Sequence, residues 1–299
     1  MAAHFDVRTA QVIEFGVGLE DRRGERYVLV PIDEKIQGAL REMVEKTRSE
    51  LNKANETPTL YEPSEKHGGK ENLRLPLNHE LAANIRLIHE AENMRKEPRA
   101  LSDPNAVFCY FTRMTDAKGN RLTAIRVATG FMRVLKNRSH FIQMLNDTLK
   151  LVDEDIFKLD RDFDLLVDGD EVQILRHAGF ESVGKLEDEI KKAVPKNVKE
   201  ISHDLTFVDF AAIEEYAKMH SRAARSLASI RDQRLKKINQ HKLRRACTQF
   251  NVQTRTAQGK LVIEPGSIMD FLYLLDRRLY RIELTDAAES YLAASRKPR

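Results

Sequence analysis

No stretch of this sequence approaches the roughly 20 consecutive apolar residues that a membrane-spanning helix needs. The opening MAAHFDVRTAQVIEF has no apolar run with a cationic flank and a small-residue cleavage site. A soluble, cytoplasmic protein is therefore expected. Cysteine is scarce: Cys109 and Cys247 lie far apart, too few for a disulfide framework or a thiolate zinc site, and both read as small buried hydrophobes. The nine histidines form no HxxxH or HExxH pattern, so catalytic zinc is not expected. His67-Gly68-Gly69-Lys70 lacks the spacing of a phosphate-binding loop. His203-Asp204 and His220-Ser221 have no nucleophile elbow beside them and read as surface or capping residues. Zinc-finger and RNA-platform signatures, internal repeats and low-complexity tracts are missing too. These absences leave no catalytic residue, no cofactor and no metal ligand to name.

What is present is a chain of 299 residues, 41% of them hydrophobic, enough for one large domain or two ordinary ones. FDVRTAQVIEF (5–15) and RYVLVPI (26–32) read as strands around the polar EDRRGE. From Asp33 to Lys53, Ile36, Leu40, Met43, Val44, Thr47 and Leu51 recur at helical spacing, with Asp33 placed to cap the N terminus. Residues 54–72 mix proline, glycine and charge without a period and read as a long mobile loop. A second helix is expected over Asn78–Met94, then a break near 97–104. VFCYFTRM and RLTAIRVATGF form a hairpin candidate with a polar turn around Asp116–Asn120, and strand-like text follows over Phe141–Ile156. Beyond Phe180 the text turns helical and charged, and it closes with a strand (KLVIEPG), a helix (SIMDFLYLL) and a strand (RRLYRIEL). The expected class is α+β: an N-terminal strand-helix region over 1–104, then over 105–299 a hairpin-rich sheet with a basic helical segment.

Charge is segregated. Between Asp153 and Glu171 nine acids face two bases, a local net of −7. Counted from Asp160, Asp162, Asp164 and Glu171 fall at the third, fifth and twelfth places of a calcium loop, but the sixth, which needs glycine, is Leu165. Two strands, DFDLLV and DEVQIL, joined by a type I′ turn at Asp168-Gly169, fit better and leave the acids facing water. The alternative is a metal-dependent nuclease built on Asp162, Asp164 and Glu171, although Glu171 is followed by Val172 and Gln173 rather than by a lysine two places on.

Ser221–Arg245 carries Arg222, Arg225, Arg231, Arg234, Lys236, Lys237, Lys242, Arg244 and Arg245 against the single acid Asp232. That is a local net of +8 in a chain whose total is +4, so the remainder is net −4. At about 100° per residue, Ala223, Leu227, Ile230 and Ile238 share a stripe roughly 80° wide, with Arg222, Arg225, Lys236, Lys237 and Arg244 across from it. Arg231, Arg234 and Arg245 fall near the stripe, so a break around Ser229–Asp232 is expected. Such a segment suits the phosphates of a nucleic acid without base readout. It would equally suit the chain's own acidic stretch or an anionic membrane surface. A smaller cluster, Arg121–Arg138, has five cations and no acid and is a candidate extension.

FKLDRDFDLLVDGDEVQILRHAGFE (157–181), with its Leu-Asp-x-Asp-Phe-Asp opening and closing Phe-Glu, resembles the KwaB-like family, the cytosolic component of the Kiwa anti-phage defence system. PIDEKIQGALREMVEKT and FLYLLDRRLYRIELTDAAESYLAASRK resemble the family's N- and C-terminal regions. The resemblance spans most of the chain, assigns 105–299 to the family domain and gives no individual residue a role. It implies a DNA-binding, homo-oligomeric cytoplasmic protein that works beside a small membrane protein, KwaA, which would recruit it to the inner membrane. It also implies interference with phage DNA functions without necessarily cutting DNA. Taken with the basic segment, it leads us to expect a non-catalytic, largely sequence-independent DNA-binding protein; the nuclease and a non-DNA-binding adaptor remain as alternatives.

Overall fold

A computed structural model describes residues 5–22, 24–54, 57–65, 67–101, 106–128, 142–145, 148–151, 157–231, 235–282 and 289–293. The chain divides into two compact units, one of residues 1–61 and 67–186, the other of 62–66 and 187–299.

The strands of the first unit are β1 (Ala10–Asp21), β2 (Gly24–Val30), β3 (Thr59–Leu60), β4 (Leu73–Pro76), β5 (Val107–Asp116), β6 (Arg121–Val127), β7 (Ile142–Leu145), β8 (Thr148–Leu151), β9 (Leu165–Asp168) and β10 (Glu171–Ile174). Eight of them make one sheet in the order β2-β1-β5-β6-β9-β10-β4-β3, antiparallel except for the β3–β4 pair, while β7 and β8 pair separately. The apolar text of β5 and β9 barely alternates because both faces of the sheet are covered. On one face Tyr110, Met114, Leu122, Ala124 and Leu166 pack with Leu40, Met43, Val44 and Leu51 of α1 (Glu34–Ala54). On the other, Cys109, Phe111, Ile125, Leu165, Val167 and Ile174 meet Ile85 and Ile88 of α2 (Ala83–Glu90) and Phe180 and Val183 of α3 (His177–Gly184). Each large side chain so buried contributes about 1.5–3 kcal/mol.

Several local expectations meet the structure directly. Asp33 caps α1, its Oδ1 accepting the Ile36 N–H at 2.8 Å. Ile36 itself is 37% exposed and does not join the buried stripe. Residues 57–72, expected to be mobile, contain β3 and the buried Tyr61, whose ring stacks on His67 at 5.0 Å and whose hydroxyl donates to Glu181 at 3.0 Å. The helix expected over 78–94 is a 3-10 turn at Glu80–Ala82 followed by α2, ending at Glu90. Downstream the chain runs extended beside β2, the Leu29 N–H donating to Arg95 O and the Glu97 N–H to Leu29 O, which a longer helix would forbid. β5 begins just past 104/105 and pairs with β1, so strands from both sides of that point share one sheet.

The second unit holds α4 (Glu187–Lys192), α5 (Val194–Asp204), α6 (Ala211–Met219), α7 (Ser221–Arg231), α8 (Gln240–Gln249) and α9 (Ile268–Leu275). A small sheet in the order β11 (Val208–Asp209), β13 (Lys260–Ile263), β12 (Thr254–Ala257) and a hairpin of β14 (Leu279–Ile282) with β15 (Glu289–Leu292) complete it. Its core joins Val198 and Ile201 of α5, Ile213 of α6, Leu227 and Ile230 of α7, Leu243 and Cys247 of α8, and Phe271 and Leu272 of α9. The class is α+β, as the sequence indicates.

Candidate nucleic-acid interface

The acidic stretch is not a solvated face. Asp162 and Asp164 are 8% and 5% exposed, because the segment leading into β9 turns its carboxylates onto two arginines from other elements. Arg126 on β6 donates Nε to Asp160 Oδ2 at 2.8 Å and Nη1 to Asp162 Oδ1 at 3.1 Å and Asp164 Oδ1 at 3.2 Å. Arg176, just before α3, grips both oxygens of Asp162 at 2.8 and 2.7 Å and reaches Asp164 at 3.2 Å. Lys158 adds a contact to Asp160 at 3.0 Å, and the Asp160 N–H donates to the Tyr110 hydroxyl at 3.0 Å. Asp164 Oδ2 accepts the Val127 N–H at 2.9 Å and lies where only glycine fits opposite: a Cβ on Gly179 would stand 2.4 Å from the carboxylate.

Burial lifts the Asp164 carboxyl above its ordinary range, against the Val127 N–H and the two guanidinium groups. Burial opposes ionisation of Asp160 as well, but hydrogen bonds from Lys158 and Arg126 outweigh it and its pKa is lowered. The expectation of exposed acids is thus overturned: Asp160, Asp162 and Asp164 are neutralised locally by Arg126, Arg176 and Lys158. The signal in the sequence was Arg126 itself, two residues from Ala124 and four from Leu122 on a buried strand face, where a cation demands a partner.

Nor does the chain assemble the carboxylate trio of the nuclease alternative. Glu171 pairs with Arg74 on the neighbouring β4 at 2.9 Å, and no group of three or more His, Cys, Asp or Glu residues is placed to hold a metal among the described residues. The hairpin is formed, but its turn is displaced by one residue. Asp168 pairs with Glu171, so Gly169 and Asp170 are the central residues, and only Gly169 has positive φ, +62°, as in a type II′ rather than a type I′ turn.

The basic segment is not one straight helix, although α7 continues through Ser229–Arg231, inside the range where a break is expected; residues 232–234 lie outside the described residues, a 3-10 turn covers Leu235–Lys237, and α8 starts at Gln240 behind the Asn239 cap. Ala223, Leu227 and Ile230 are fully buried and Ile238 packs on the same core. α7 is more enclosed than an 80° stripe implies, since Ala224, Ser226, Ala228 and Ser229 are buried too and Ser229 donates to Asp276 at 2.6 Å. Arg222 and Arg225 are its exposed cations. The Arg222 guanidinium sits 5.4 Å from the centre of the Tyr273 ring, and Arg225, after Lys191 and Ser221, helps hold the Glu187 carboxyl below its ordinary range. Arg231 turns inward instead, 12% exposed, pairing with Glu200 at 3.3 Å and Glu65 at 3.5 Å and donating to Asn197 at 3.1 Å.

Lys237, Lys242 and Arg245 are exposed and Arg244 is half-buried. Arg234 and the Lys236 side chain lie outside the described residues. The Arg121–Arg138 cluster does not extend this surface as a block: Arg121 donates to His89 O at 2.8 Å, Arg126 belongs to the acidic network, and Arg133, Lys136 and Arg138 lie outside the described residues. Sequence reasoning missed Arg278, whose guanidinium covers Tyr273 at 4.7 Å beside Arg222. No helix among the described residues is long and apolar enough to cross a membrane.

The family model described as Kiwa protein KwaB-like matches residues 106–285, a span that holds both the acidic network and the basic helices. No curated protein and no solved structure gives a match.

Proposed function

Because the chain belongs to the Kiwa protein KwaB-like family, and so to Kiwa anti-phage defence, we propose that it acts by binding DNA largely without regard to sequence. Arg222, Arg225, Lys237, Lys242 and Arg245 engage phosphates, with Lys236, Arg244 and Arg234 in support. Binding then interferes with phage DNA functions, and the chain works as a homo-oligomer beside a small membrane partner, KwaA. The supporting observation is that cations of α7 and α8 stand exposed on helices whose other faces are buried. Cations held on a packed scaffold displace counterions from a polyanion without ordering a disordered arm at the same time. Arg231 is reassigned from phosphate contact to the inward ion pairs that fasten the end of α7.

In equilibrium titrations with duplex DNA, Lys237→Glu/Lys242→Glu/Arg245→Glu weakens binding at low salt while the melting curve stays in place. A triple variant that binds as the wild type does would refute the reading. The acidic network supports the proposal indirectly, since carboxylates satisfied by Arg126 and Arg176 are not available to neutralise the basic helices.

A further inference from the structure

The end of α9 and the β14–β15 hairpin carry a second surface of a different kind. α9 stops in a left-handed residue, Arg277 at φ 55°, with the Arg277 N–H bonded to Leu274 O and the Arg278 N–H to Tyr273 O. Arg277 is exposed, and Arg278 is fixed by its Nε donating to Ala293 O at 2.8 Å and by its stack on Tyr273. Two residues on, Tyr280 pairs in register with Tyr291, and their rings stack at 5.6 Å with planes 21° apart. They are 44% and 41% exposed, and among the described residues they are the only exposed tyrosine or phenylalanine side chains. Tyr273 takes Arg222 of α7 on its ring together with Arg278, two residues before Tyr280, which links the basic helix to the start of the hairpin.

We propose that Tyr280 and Tyr291 form a platform on which unpaired bases stack, with Arg277, Arg278 and Arg222 holding the adjoining phosphates. The inference rests on the DNA-binding reading and narrows it to a ligand with exposed base faces: a single strand, a frayed end or a melted tract. Charge complementarity selects this occupant. An apolar protein partner would not call for Arg277 and Arg278 leading into the strand that carries Tyr280, with Arg222 on the same Tyr273 ring as Arg278, whereas a nucleic-acid strand offers phosphates and flat π-faces together. Stacking is indifferent to base identity, which agrees with a surface lacking base-edge recognition.

The test compares an oligo(dT) long enough for a site of about 4–16 nucleotides with a blunt duplex, both by fluorescence polarisation. Tyr280→Ala/Tyr291→Ala loses at least about 5-fold in oligo(dT) affinity and keeps its duplex affinity; Tyr280→Phe/Tyr291→Phe binds both as the wild type does. The chain has seven tyrosines and no tryptophan, so the wild-type emission comes from tyrosine alone, two of the seven being these rings, and oligo(dT) quenches part of it while blunt duplex does not. That readout stands even where the alanine variant fails to fold. Unchanged oligo(dT) affinity in a folded alanine variant, or no quenching, overturns the platform and leaves DNA binding intact. Loss of oligomer mass by light scattering with oligo(dT) affinity unchanged assigns the rings to a second copy and overturns it too. Failure of the wild type to bind either nucleic acid overturns both this proposal and the reading beneath it.

Discussion

Arg126→Ala removes the side chain that spans three aspartates. The guanidinium gives up contacts to Asp160 at 2.8 Å, Asp162 at 3.1 Å and Asp164 at 3.2 Å, together with one to Asp162 O at 3.1 Å. Breaking a buried pair from one side costs about 3–5 kcal/mol, because the partner stays buried and unmatched. Arg126 is 15% exposed, and Arg176 still serves Asp162 and Asp164, so the low end applies, about 3 kcal/mol. With a urea slope of about 1–3 kcal/mol/M, the midpoint of the first unit falls by about 1 M or more. Arg126→Lys recovers less than half of that, since an ammonium cannot fork between Asp160 and the Asp162–Asp164 side. Urea titrations followed by far-UV circular dichroism decide it. A midpoint change below about 0.3 M, or full recovery by lysine, would refute the reasoning.

Two further outcomes follow from the same unit. Burial, with Arg121 and Arg113 nearby, lowers His89 to about 4. The unfolded chain then takes up a proton below about pH 6.5 that folded His89 refuses, and stability falls by up to about 3 kcal/mol as pH drops from 7 towards 4. His89→Gln flattens that slope in urea titrations across pH; an unaltered slope would contradict the assignment. Gly179→Ala places a Cβ 2.4 Å from the Asp164 carboxylate and costs about 1–3 kcal/mol. Gly266→Ala, whose Cβ meets nothing within 4 Å, leaves the melting temperature nearly unchanged, and equal effects at the two sites would refute the close-approach argument.

Local chemistry was legible and long-range partnership was not. The Asp33 cap, the α1 stripe, the β5–β6 and β9–β10 hairpins and the division of the basic segment into more than one helix all follow from residues within a few positions of one another. The burial of Asp162 and Asp164 depends on Arg126, more than thirty residues upstream, and a local charge count cannot see that partner. Ala224, Ser226 and Ala228 misled in the same way: small side chains register weakly in an apolar period, yet they are what lets neighbouring helices close around α7. In the basic segment the pattern identified which residues carry charge, and packing then separated Arg231, turned inward, from Lys237, Lys242 and Arg245, left exposed. Tyr273, Tyr280 and Tyr291 become a group only through the α9 terminus and the β14–β15 register.

The salt dependence of duplex binding tests the central claim most directly. Each phosphate neutralised contributes about 0.9 to the fall of log K with log salt. Wild-type protein should show a steep linear slope, and Lys237→Glu/Lys242→Glu/Arg245→Glu should flatten it by about 2–3 if all three residues touch phosphate, while Arg231→Gln leaves the slope as it was and lowers only the stability of the second unit. Equal slopes for wild type and the triple variant would contradict the account.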